Sequence, residues 1–148
     1  PTDLIREPNL TDKLTKMGFG YRAPYIEKIT QEIVNGSDLN LDQLCNLPYE
    51  AVFSRLLQIT GIGPKVADCV ALTGLGQMEA IPIDTHIWQI AKKHYSGMPN
   101  GGKSLTLKCY REIGDRFRSI FGAKVGWAHL ILFAAKLDQK TTEEPSNK

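Results

Sequence analysis

Gly61-Ile62-Gly63-Pro64-Lys65-Val66-Ala67-Asp68-Cys69, with Ile81-Pro82-Ile83-Asp84-Thr85-His86 further along, decides how this chain folds. Gly61 and Gly63 allow backbone angles closed to other residues, and Pro64 suits a first helical position because its missing N–H would be unpaired there. Residues 58–63 therefore read as a hairpin with helices on both sides. Peptide N–H groups at such a turn, backed by the positive end of the following helix, attract a phosphate oxygen without reading any base. A plain structural turn would carry the same glycines.

Lys65 falls in the first turn of the second helix. There the dipole disfavours an ammonium, and burial nearby would act in the same direction. A lysine made partly neutral is a nucleophile. Asp84 follows Ile81-Pro82-Ile83 and precedes an amphipathic run, the position of an N-cap whose oxygen accepts helix N–H bonds and stays ionised. Each residue alone has a simpler reading, a phosphate contact for Lys65 and a cap for Asp84. Together with the hairpin they read as nucleophile plus anion.

Apolar spacing is helical almost throughout, over residues 10–17, 23–35, 41–46, 49–59, 64–75, 85–95, 105–121 and 125–139, with almost no alternating strand pattern. The expected fold class is all-α, a helical bundle-like domain over residues 1–140. Residues 96–104 read as a flexible loop and residues 141–148 as a disordered polar tail. Val66, Val70, Leu72, Ile87, Trp88, Ile90 and Trp127 are expected to pack inward.

The 148 residues suit one domain with a modest core, and 42% hydrophobic residues argues against disorder. Net charge is only +2, but residues 85–140 hold ten Lys/Arg against three Asp/Glu, whereas residues 1–84 hold seven against eleven. That basic half could face phosphates, although solvated helix surfaces would look the same. Cys45, Cys69 and Cys109 are far apart and odd in number, as for reduced thiols, and cannot form a four-cysteine iron–sulfur site. No apolar run suits a membrane span and no leader peptide is recognisable, so a soluble intracellular protein is expected.

These motifs resemble the helix-hairpin-helix DNA glycosylase superfamily. Gly18-Phe19-Gly20-Tyr21-Arg22-Ala23, Gly63 to Cys69, Ile81 to His86, and Gly126-Trp127-Ala128 with Phe133 resemble, in family order, the eukaryotic-type 8-oxoguanine DNA glycosylases. The resemblance implies a base-flipping glycosylase with lyase activity: Lys65 attacks the sugar carbon, and Asp84 stabilises the positive charge that develops there. It also implies a base pocket of Cys69, His129 and Phe133, with His129 standing where the family usually has a glutamine. Tyr21 corresponds to the wedge, Arg22 to the reader of the base opposite the damage, and His86 to a phosphate contact beside the flipped nucleotide. Gly61, Gly63 and Val66 would hold the DNA backbone.

Asp68 reads as a structural partner near the hairpin. The implied partner is duplex DNA carrying oxidised guanine, bound by a monomer with no cofactor, no metal and no membrane, in the nucleus or also in the mitochondrion. The family's β-rich N-terminal region has no counterpart before Pro1, so the chain is expected to be a C-terminal catalytic portion. The second reading is a non-catalytic helix-hairpin-helix module that only grips DNA backbone, which would need neither Lys65 nor Asp84.

Overall fold

The computed structural model describes residues 1–36, 41–99 and 105–143, with the side chains of 41, 42 and 136–143 left aside. Its regular elements are all helical: α1 Thr2–Ile5, α2 Leu10–Lys16, α3 Ala23–Val34, α4 Leu41–Leu44, α5 Tyr49–Leu57, α6 Pro64–Cys69, α7 Thr85–His94, α8 Leu107–Phe121 and α9 Val125–Glu143. Among the described residues there is no strand, as the apolar spacing predicts. Helix α1 is the one element the periodicity does not announce. Part of the expected loop at 96–104, residues 100–104, lies outside the described residues, as do residues 144–148 of the expected tail. Residues 141–143 continue α9.

The chain divides into two compact units, Pro1–Gly63 and Pro64–Lys148, a boundary that falls inside the decisive glycine peptide. In the first unit, Leu10 and Leu14 of α2 cluster with Ala23 and with half-buried Ile26 of α3. The Thr11 hydroxyl donates to Glu27 and fixes the same pair of helices. On α5, Val52, Phe53 and Leu56 are buried, and the Tyr49 and Phe53 rings lie 5.8 Å apart.

The turn after α5 shows what each glycine does. Gly61 has φ +87°, and a Cβ there would lie 2.6 Å from the Tyr25 ring, so both conformation and space exclude a side chain. Gly63 differs from expectation: it does not adopt a positive φ, and a Cβ would meet nothing within 4 Å.

In the second unit α9 packs against α7 and α8. Its core comprises Ala67, Leu72, Ile81, Ile83, Ile87, Ile113, Phe117 and Val125, all buried. Tyr95 packs edge-on against Phe117 at 5.1 Å, and Phe117 stacks on Phe121 at 6.2 Å. The expected single helix over 64–75 changes character midway, because Val70–Gly74 is a π-helical turn. The Thr73 hydroxyl donates to the Cys69 carbonyl at 2.7 Å, and the Leu75 N–H donates to the Val70 carbonyl at 3.1 Å, five residues away.

Two core expectations are corrected. Val66 is 44% exposed and Trp127 is 58% exposed, so neither packs inward. Trp127 lies on the outward face of α9 together with Leu130 and Ile131. Val70, Trp88 and Ile90 are half-buried.

Gly126 explains its place before Trp127. Its N–H donates to the Met78 carbonyl at 2.8 Å, and a Cβ would stand 2.4 Å from Leu72 Cδ1 and 2.9 Å from that same carbonyl. The leucine can turn away, but the carbonyl belongs to backbone and cannot. Gly126→Ala is therefore expected to destabilise the fold by about 1–3 kcal/mol through overpacking. Thermal unfolding checks this, and a midpoint within about 1 °C of wild type would contradict the close approach.

Candidate active site

Asp84 is an N-cap, as its sequence position predicts. Its backbone is extended, and Oδ1 accepts the His86 N–H at 2.9 Å and the Ile87 N–H at 2.8 Å. Both bonds use one oxygen, and Oδ2 makes no hydrogen bond among the described residues. The site thus presents a carboxylate oxygen held in place by the other end of its own carboxyl group.

Lys65 is the second residue of α6 and is exposed, so the burial expected around it is not found. Cys69, one turn on, is half-buried and carries a free thiol.

His129 links these groups. It is only 8% exposed, and burial is the main cause that pushes its imidazole below the ordinary value of 6.5. The Asp84 carboxylate and the Pro82 carbonyl pull the other way, and the Lys65 charge adds to the lowering. One imidazole therefore feels both the amine and the carboxylate. Phe133 stacks on His129 at 6.1 Å with 12° between the rings, and His86 meets Phe133 edge-on at 6.4 Å. The Nδ1 atoms of His86 and His129 are buried without a hydrogen-bond partner among the described residues. Asp84, His86, His129 and Phe133 are accordingly brought together within the second unit, with Lys65 in electrostatic reach of His129.

A neutral buried histidine has a consequence for stability. With its native value lowered, the unfolded chain takes up the proton first as pH falls below about 6.5, so the native state loses stability on acidification through that window and keeps it above. Wild type is expected to show this decline between pH 7.5 and 5.5 in chemical denaturation, and His129→Gln to show less of it. Equal slopes would remove His129 from the buried cluster.

Of the other predicted residues, Tyr21, Arg22, Gly61 and Gly63 belong to the first unit and Val66 to the second. Tyr21 and Arg22 lie in a short 3₁₀ turn, Gly20–Arg22, with the guanidinium carbon 5.1 Å from the Tyr21 ring centre. Tyr21 is 75% exposed. Gly61 and Gly63 belong to the turn already described.

One residue goes unnoticed by sequence reasoning. Tyr110 is 4% exposed on α8, and its hydroxyl lies 2.6 Å from Asp68 Oδ2, 3.3 Å from the Pro64 carbonyl, 3.3 Å from the Ile81 carbonyl and 3.2 Å from the Ile83 N–H. Pro64 immediately precedes Lys65, and Ile83 immediately precedes Asp84. The only signal in the sequence is a phenol on the apolar face shared with Ile113 and Phe117, where a buried O–H must find a partner. The structural role expected for Asp68 is seen here.

No protein-family model matches the chain. It is 37% identical over 146 residues to the N-glycosylase/DNA lyase OGG1 of Arabidopsis thaliana, a match that covers 93% of this chain and 40% of that protein. It is 32% identical to the N-glycosylase/DNA lyase of Saccharomyces cerevisiae (strain ATCC 204508 / S288c), over 84% of this chain and 40% of that one. Among solved structures, it is similar to the Clostridium acetobutylicum 8-oxoguanine glycosylase/lyase in complex with double-stranded DNA containing cytosine opposite 8-oxoguanine. That match has a TM-score of 0.79 at 27% identity and covers 94% of this chain and 44% of that one. The chain thus spans about two fifths of the length of the curated relatives it matches.

Proposed function

The chain belongs to the 8-oxoguanine DNA glycosylase family of helix-hairpin-helix N-glycosylase/DNA lyases, and from that membership we propose that it carries the catalytic residues for excising 8-oxoguanine opposite cytosine and then cutting the strand. The feature that carries this reading is buried His129, on which the capped Asp84 carboxylate and the Lys65 charge act with opposite sign. A module that only grips backbone needs neither group.

The chemistry follows from the charges. Expelling a base from deoxyribose builds cationic character on the sugar, and a fixed carboxylate beside it stabilises that transition state more than the ground state. Asp84 supplies the carboxylate, with Oδ1 anchored and Oδ2 available. The Lys65 nitrogen forms a bond to the sugar carbon as that carbon's bond to the base breaks, and the proton the nitrogen sheds passes to the departing base. Opening of the sugar ring gives a Schiff base. Loss of a proton from the neighbouring carbon then expels the 3′ phosphate by β-elimination. The base must leave the helical stack before any of this, because the reacting carbon is shielded there.

Cys69, His129 and Phe133 line the pocket for the extruded base in this reading, with the Phe133 ring as its stacking surface. His86 contacts the phosphate next to it. Tyr21 fills the gap left in the stack, and Arg22 offers its directed donors to the orphaned cytosine. The N–H groups around Gly61, Gly63 and Val66 hold the backbone, and the open space at Gly63 leaves room for a phosphate. The protein acts as a monomer, in the nucleus or the mitochondrion.

The test is incubation with a duplex carrying one 8-oxoguanine opposite cytosine, in the presence of borohydride. A covalent protein–DNA adduct, absent with the undamaged duplex, is the expected result. Tight binding of the lesion without any adduct would replace the enzyme with the backbone clamp.

A further inference from the structure

Lys65 and Asp84 come from separate elements, so something must set the distance between them. Helix α6 carries Lys65 at its second position, while Asp84 sits where an irregular segment enters α7. Both approaches pass the same atom. The Tyr110 oxygen lies 3.3 Å from the carbonyl of Pro64 and 3.2 Å from the N–H of Ile83, the residues immediately before the two functional side chains. A phenol has one proton to give, and its shortest contact, Asp68 Oδ2 at 2.6 Å, takes it. Asp68 is fully buried on α6, one turn beyond Lys65. A lone pair remains for the Ile83 N–H. The two carbonyls at 3.3 Å mark how closely both backbones crowd this oxygen.

We infer that Tyr110 is a positioning residue for the excision reaction: through Asp68 it fixes α6 and thereby Lys65, and through the Ile83 N–H it fixes the segment that presents Asp84. The inference rests on the glycosylase reading for its kinetic consequence and on the geometry alone for its structural one. A buried polar junction of this kind contributes some stability wherever it stands. What distinguishes a positioning role is that this hydroxyl touches both approaches, and that displacement by about 1 Å can cost about a hundredfold in rate.

Tyr110→Phe removes the oxygen and nothing else. The control is Ile113→Val, one turn away on the same buried face, which also lowers stability by a modest amount. Tyr110→Phe is expected to slow single-turnover base release and adduct trapping by about 10- to 100-fold with lesion binding within about twofold of wild type, whereas Ile113→Val keeps the wild-type rate. Amide NMR signals of residues 65–67 and 84–87 should both shift in Tyr110→Phe and stay in place in Ile113→Val.

A Tyr110→Phe rate equal to that of Ile113→Val, or movement of only one of the two sets of signals, overturns the inference. If wild type itself forms no adduct, the glycosylase reading fails and the NMR result still decides the positioning. Should Tyr110→Phe not fold, Asp68→Asn takes its place, with the same slowing expected and an unchanged rate counting against the role.

Discussion

Lys65→Gln protein is expected to keep its affinity for a duplex carrying 8-oxoguanine to within about tenfold while losing the borohydride-trapped adduct and slowing strand cleavage by about a thousandfold or more. The side chain is exposed in the first turn of α6, so its removal leaves no hole in the core and no buried partner orphaned. Folding should be unaffected, and thermal unfolding should confirm that. The substitution keeps polarity and most of the length but removes the amine assigned to the Schiff base. Binding measured by filter retention or anisotropy and chemistry measured by trapping then separate cleanly. If the variant folds but loses binding along with chemistry, Lys65 is an anchor for phosphate and the turn a clamp.

Asp84→Asn should slow base release by about a hundred- to a thousandfold, the range for removing one preorganised group that stabilises developing charge. The structure makes this substitution informative, because Asp84 has two tasks. Its Oδ1 caps α7 through the His86 and Ile87 N–H groups, and asparagine is as good a cap as aspartate. The variant therefore keeps the helix start and removes the charge. Asp84→Ala, by contrast, loses the cap as well and should cost about 1 kcal/mol of stability in addition. Single-turnover excision by Asp84→Asn at a wild-type rate would confine Asp84 to its structural task.

Much of the fold is legible locally. Helix starts are written in short-range chemistry: Pro64 at the beginning of α6, Asp84 before α7, and Thr106, whose hydroxyl oxygen accepts the Cys109 N–H at 3.2 Å, before α8. Such signals act over three or four residues, and apolar periodicity fixes which helices form between them. The choice of Lys65 and Asp84 as candidates rests on the same short-range logic, since a glycine turn and a cap are each read from a few neighbours.

What the sequence by itself determined is therefore the helices from α2 to α9, the turn before α6 and the capped carboxylate, because hydrogen bonds within a few residues dictate them. Only the tertiary structure decided which apolar residues face solvent, as with Val66 and Trp127, since periodicity says that a face is apolar but not what covers it. It also decided why residue 126 is glycine, through a carbonyl at Met78, and why α6 opens into a π-turn. Above all it decided the junction at Tyr110, where Asp68, Pro64, Ile81 and Ile83 gather around one oxygen from positions 27 to 46 residues away. Contacts over such separations form only when the chain closes on itself, and no window of neighbouring residues contains them.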